Sequence, residues 1–154
     1  MLRDSPRLNT QHLDLWQLTE SLPDSFYFNR HMEGKWSIAE HTAHLGRYQE
    51  IFQARLARIR NEEKPRLKRY SADEDLLFTQ WCTKKREDLE QDLNTGREEL
   101  IALLDSFQPK DYRQLGIHPK FGEMSVAEWL RFFLLHESHH HYAVFRLIMM
   151  FRNS

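Results

Sequence analysis

The stretch from Ser125 to Phe151 contains no glycine and no proline, and apolar residues recur along it at helical spacing. Such a segment reads as one long helix. Its start is marked by SVAEW, where Ser125 followed three residues later by Glu128 forms a capping-box pattern. Each residue advances about 100° around a helix axis, so Trp129, Phe133, His136, His140, Ala143, Leu147 and Phe151 share an arc of about 80°. That stripe is the natural core face. Two histidines sit in its middle. His139 lies near the edge of the arc, and His141 points away, toward solvent or another packing partner.

The rest of the chain is read against this helix. Five glycines and five prolines are gathered into a few clusters, and no strong alternating strand pattern appears. The first helix runs from about Asn9 to Leu22 and stops before Pro23. The second begins at Ser37, which makes another capping box with Glu40, and continues to about Asn61. The third runs from near Asp73 to Phe107, with a bend expected at Asn94 and Gly96, both weak helix residues. Two long connections, one around EKPRLKRYSADED and one around QPKDYRQLGIHPKFGEM, separate these helices. The expectation is an all-α four-helix bundle forming a single domain over residues 1–154.

Composition excludes several functions. The net charge is −1 with neutral histidines, which gives no electrostatic case for nucleic acid or anionic lipid. TKKREDLEQD is a solvated helical charge run with favourable i, i+4 pairs. Cys82 is the only cysteine, so no disulfide framework or Cys-rich zinc module exists. Placed after Trp81 in apolar sequence, it reads as buried and inert. The apolar run from Trp129 to Phe151 holds Arg131, Glu137, Arg146 and several histidines, each costly in hydrocarbon, so it reads as a buried helix and not a membrane span. The charged beginning, MLRDSPRLNTQHLDLW, is no signal peptide, and a cytoplasmic location is the default expectation.

The chemistry therefore rests on histidines. His136 and His140, at i and i+4, can converge on one divalent metal ion. The bland alternative is that each ring bonds a carbonyl or water; left unpartnered, two buried rings would cost several kcal/mol. A third ligand is available on the second helix from His41 or His44. His41 lies nearer the centre of that helix's apolar arc and His44 near an edge, and geometry does not choose between them. Tyr48 and Arg47 on the same helix could reach the cavity; Trp129 and Phe133 could wall it or pack the core. Tyr142 lies about 120° from the site face and reads as structural. No phosphate-cradling glycine loop and no nucleophile elbow is present.

GKWSIAEHTAHL, followed by GEMSVAEWLRFFLLHESHHHYAVFRL, resembles the DinB/YfiT-like superfamily of proposed metalloenzymes, and the resemblance spans essentially the whole chain. It implies a four-helix bundle, often a homodimer, with zinc or nickel held by three histidines. The family's first ligand stands eight residues after the tryptophan of a W-S/T-x-x-E element, which matches His44 after Trp36. Its other two form an HxxxH on the last helix, matching His136 and His140. Some members are transferases using low-molecular-weight thiols such as bacillithiol or mycothiol, and others are isomerases. Ala143 departs from the glutamine that many members carry three residues after the last ligand. Glu137, next to the first ligand of the pair, is expected at the helix surface or behind a ligand, and His41 and His139 are candidates to flank the site.

A three-histidine site leaves the ion dipositive, which would activate a bound water or thiol as the nucleophile. The expected function is a metal-dependent enzyme acting on a small molecule, either a thiol-dependent S-transferase toward electrophiles or a hydrolase. The alternatives are a metal-binding or stress-associated bundle without turnover and a dimerisation module with core histidines and no metal.

Overall fold

The computed structural model describes residues 6–154; residues 1–5, the beginning of the charged N-terminal stretch, lie outside the described residues. The described elements are α1 (Pro6–Thr10), α2 (Leu13–Thr19), α3 (Asp24–Phe28), α4 (Ile38–Asn61), α5 (Leu76–Trp81), α6 (Arg86–Asp105), β1 (Leu115–His118), β2 (Gly122–Ser125) and α7 (Val126–Phe151). The α1–α2 unit, α4, α6 and α7 make the bundle. Helix α4 packs against α6 and α7, α2 against α7, and α1 against α6.

Both capping boxes form. Ser37 and Ser125 each accept from the backbone three residues on, and Glu40 and Glu128 reach back to the cap N–H. These contacts satisfy backbone donors at the starts of the two helices that carry the candidate site.

The first and third helices differ from the sequence expectation. The first divides at Gln11 and His12, where the backbone tightens to i→i−3 bonds from Asp14 and Leu15. Both side chains turn inward at this point and are buried. The third is replaced by a 3₁₀ turn (Ala72–Glu74), α5, a turn at Cys82–Lys85, and α6. Burial explains the break. Phe78 and Trp81 pack with the apolar residues of α4, whereas Leu89, Leu93, Leu100 and Leu104 of α6 fill the bundle. Trp81 lies so close to α4 that a Cβ on Gly46 would meet its ring at 2.3 Å, so only glycine fits at this mid-helix position.

Helix α6 continues through Asn94 and Gly96 without interruption. These residues serve cross-helix contacts instead. Trp16 Nε1 donates to Asn94 Oδ1 at 3.0 Å, and Gln53 Nε2 donates to the Gly96 carbonyl at 3.2 Å.

The second connection holds the antiparallel β1–β2 hairpin, which lacks an alternating apolar signature in the sequence. Gly122, at φ +75°, takes the left-handed conformation at the start of β2. The first connection joins the hairpin through hydrogen bonds from Leu67 N to Ile117 O and from Ile117 N to Pro65 O. The two long connections thus brace each other beside α4 and α7.

Two apolar clusters fill the bundle. One gathers Phe52, Leu56, Leu104, Phe107, Trp129 and Phe133; the other gathers Leu15, Tyr27, Ile38, Leu93, Val144 and Leu147. Between their contributions to α7 lies a polar segment, from His136 to His141. No described helix is long and apolar enough to cross a membrane.

Candidate metal centre

Helix α4 supplies His44 and α7 supplies His136 and His140. His44 Nε2 lies 3.1 Å from His136 Nε2, and His140 Nε2 lies 3.2 Å from the same atom. One ring nitrogen from each of the three lies within 4.8 Å of the others, so the group could hold a metal ion. A neutral imidazole nitrogen offers either one hydrogen or one lone pair. His136 Nε2 can therefore satisfy at most one of its two neighbours by hydrogen bonding. A cation placed among the three would accept a lone pair from each. Tetrahedral zinc with Zn–N near 2.0–2.1 Å sets its nitrogens roughly 3.3 Å apart, close to the spacing seen.

The electrostatics keep these rings neutral. Burial, then the His136 and His41 charges, lower the His44 pKa to about 3. Burial, then His139 and Arg55, lower that of His136 to about 4. His140 is displaced in the same direction by burial and by the imidazoles around it. Neutral imidazole is the form that ligates a metal.

Aromatic side chains hold the rings in place. Tyr48 lies against His136 with ring centroids 4.2 Å apart, and Trp36 lies 5.0 Å from His44. Tyr70 stacks over His44 at 5.8 Å. Its hydroxyl donates to Asp75 at 2.9 Å, and Arg47 Nε donates to the same carboxylate at 2.7 Å. Arg47 thus anchors Tyr70 through Asp75. His41 faces the back of the site, its Nδ1 2.9 Å from His140 Nδ1. Burial also pulls His41 down to about 4.

Other candidates fall elsewhere. Trp129 and Phe133 are core residues, with Trp129 wholly buried, and Phe132 lines the cleft in their place. His139 is exposed, beside a separate groove that it shares with His41, Ala143 and Met150. Tyr142 is exposed and has no packing role in the core. Cys82 is half-buried, and burial pushes its thiol up to about 11, consistent with an inert thiol.

Glu137 is buried, which corrects the helix-surface expectation. Helix α7 is also covered by α2, and Arg97 of α6 reaches its polar middle, so a side chain 100° from the histidines still faces the interior. There Glu137 pairs with Arg97 and accepts from Gln11 Nε2 at 2.9 Å. His141 is buried in the same region, its pKa lowered by burial against the opposing pull of Glu137 and Asp14.

The three histidines open on a cleft of about 780 Å³, walled by Trp36, Tyr48, Tyr70, Phe132, Arg55 and His118. Arg55 is a residue that sequence reasoning missed although a signal exists. Eleven residues after His44, it returns to within about 20° of the same helix face. His118 gives no comparable signal, since the hairpin brings it in from a connection.

The chain is a helical bundle whose α4 and α7 present to one cleft three imidazoles that could hold a metal ion. The chain belongs to the DinB superfamily, whose family pattern it matches over residues 7–144. It is 28% identical over 149 residues to the uncharacterized protein YuaE of Bacillus subtilis (strain 168), covering 86% of this chain and 89% of YuaE. Among solved structures it resembles YfiT from Bacillus subtilis, described as a probable metal-dependent hydrolase with an unusual four-helix bundle topology. The TM-score is 0.79 at 20% identity, over 94% of this chain and 83% of YfiT. The four-helix bundle protein TT2238 aligns with a TM-score of 0.66 at 21% identity, over 90% of this chain and 92% of that one. At these identities the likeness establishes the fold, a four-helix bundle.

Proposed function

We propose that the chain is a metal-dependent enzyme that acts on a small molecule in the cleft, with its ion held by His44, His136 and His140. The observation that carries this reading is the meeting of three neutral imidazole nitrogens, 3.1 and 3.2 Å apart along its two closest edges, at the wall of an open cleft. Zinc or nickel suits three imidazole ligands. A divalent ion there supplies Lewis acidity, lowering the pKa of a water or thiol that reaches it so that the anion is available near neutral pH.

The chain's own residues prepare the place. Burial keeps all three rings neutral, so each can offer one lone pair, and His41 contacts His140 from behind. Trp36, Tyr48 and Tyr70 pack against the rings and line the cleft beside them. Hydrolysis is the reaction proposed, supported by the description of the similar YfiT as a probable metal-dependent hydrolase. Transfer of a low-molecular-weight thiol to an electrophile is the alternative that the family resemblance supports.

Metal analysis by mass spectrometry tests the site. About one ion per chain is expected in wild-type protein, and His136→Ala should lose most of it while remaining folded. Unchanged stoichiometry in His136→Ala sinks the ligand assignment. Ester and amide panels, run beside thiol-plus-electrophile panels on the metal-loaded protein, then separate hydrolysis from thiol transfer.

A further inference from the structure

The cleft beside the three histidines carries an excess of positive charge that the chain as a whole does not have. Net charge is −1, yet Arg55, Arg69 and Lys120 line the cleft against a single carboxylate, Asp73. Among the described residues, none of these three cations forms a salt bridge. By contrast, Arg47, Arg58, Arg86 and Arg97 each pair with a carboxylate.

Arg55 is the most firmly built of them. It is half-buried, and its guanidinium rests over the faces of Tyr48 and Trp129, 5.7 and 5.5 Å from the ring centroids. Its Nη1 donates to the Tyr48 hydroxyl at 3.1 Å and its Nη2 to the Lys68 carbonyl at 2.9 Å. A guanidinium has five N–H donors, so most remain for a ligand. Tyr48 is also the ring that lies against His136, so Arg55 stands one aromatic side chain away from the histidine cluster.

His118 stands on the same wall. The backbone N–H groups of Lys120 and Phe121 donate to its Nδ1 at 3.0 and 3.1 Å. A ring nitrogen that accepts carries no hydrogen, so the proton of the neutral ring sits on Nε2, making that atom a donor. Burial, then the Arg55 and Lys120 charges, lower its pKa and favour this neutral form. Trp129 lies 5.3 Å from the His118 ring centroid, so the same indole supports both His118 and Arg55.

We propose that Arg55 and His118 form an oxyanion-binding subsite, and that the substrate carries a carboxylate or phosphoryl group held there while its reacting portion faces His44, His136 and His140. This deepens the enzyme reading above and rests on it for the word substrate; the anion site itself does not need the metal. Arg55 supplies charge and a planar donor fork, and His118 supplies one directed neutral donor. Arg69 and Lys120, both exposed, contribute long-range attraction that salt screens. Phe132 and Tyr70 provide apolar surface for the body of the ligand.

Calorimetric titration of zinc-loaded protein with benzoate and with phenylphosphonate, at low salt and neutral pH, tests the site. The probe that binds more tightly tells carboxylate from phosphoryl recognition. At least one is expected to bind, with affinity falling as salt is raised. Arg55→Gln should weaken that binding at least tenfold with zinc stoichiometry unchanged, and Arg55→Lys should recover part of it. His136→Ala should still bind the anion within about threefold of wild type. Neither probe binding, or Arg55→Gln binding as wild type does, overturns the proposal. Zinc content of His136→Ala reads the metal assignment separately, so either idea can fail alone.

Discussion

Replacing Arg97 by methionine should destabilise the protein severely, although Arg97 touches no candidate metal ligand. The guanidinium is 1% exposed and is bonded on every nitrogen. Nε donates to Gln49 Oε1 at 2.7 Å, Nη1 to the Leu8 carbonyl at 2.9 Å, and Nη2 to Glu137; His12 Nδ1 lies 3.2 Å from Nη1. These partners come from α1, the turn after it, α4 and α7, so one side chain on α6 ties the bundle together. Its removal strands the Glu137 carboxylate at 2% exposure, with Gln11 as its remaining partner, and leaves Gln49 Oε1 unpaired.

Breaking a buried pair from one side costs about 3–5 kcal/mol. At about 2–4 °C per kcal/mol for a chain of this size, the melting temperature should fall by roughly 6–20 °C. Urea unfolding followed by circular dichroism, with chelator present so that bound metal adds nothing, measures the change. The double variant Arg97→Met/Glu137→Met removes the stranded carboxylate. It should be more stable than the sum of the two single losses implies, by at least about 2 kcal/mol. A loss below about 1 kcal/mol for Arg97→Met, or additive single effects, refutes the reading of this buried pair as a coupled contact that ties the bundle together.

Two further outcomes follow from the same region and from the back of the histidine site. His12 is held at a pKa of about 4, below its ordinary 6.5, first by burial and then by the Arg97 and His141 charges. The unfolded chain therefore binds the extra proton first, and the His12 contribution, present above pH 6.5, is lost as pH falls toward about 4. His12→Gln should make the urea midpoint fall less steeply between pH 7 and pH 4.5, and an unchanged slope counts against this. His41→Ala should weaken metal binding about 10–100-fold by releasing His140, as losses of such outer partners do, whereas His41→Asn should recover part of it. Competition with a chromophoric chelator measures this, and an affinity equal to wild type removes His41 from the site.

The long helices were legible because their signals are local. A capping serine, a glutamate three residues on and an unbroken periodic run define α4 and α7 without reference to anything distant. The division of the third helix was not legible, because it depends on where Trp81 seats against Gly46, a contact between elements. The hairpin was equally hidden. Its strands, LGIH and GEMS, lack alternation, and they pair because Trp129 and the first connection hold Gly116 and Ile117 from outside.

At the site, helical spacing brought out His136 and His140 but left His41 and His44 open, and the structure shows why both looked eligible. Their side chains meet the same residue, His140, from two sides: His44 shares the Nε2 cluster, while His41 contacts Nδ1. A position near the centre of a helix's apolar arc can sit behind a site, and a position at its edge can point into the gap between helices. The same geometry explains Glu137. A wheel centred on the histidines makes a residue 100° away look like surface, which holds only if one side of the helix is covered. Helix α7 is covered on two sides, so its polar middle serves two purposes. His136 and His140 turn toward α4 and the cleft, and Glu137 turns toward α6, where Arg97 holds it. The buried ion pair thus holds the neighbouring face of α7, about 100° round from His136, and restrains the rotation of the helix at the level of its two candidate ligands.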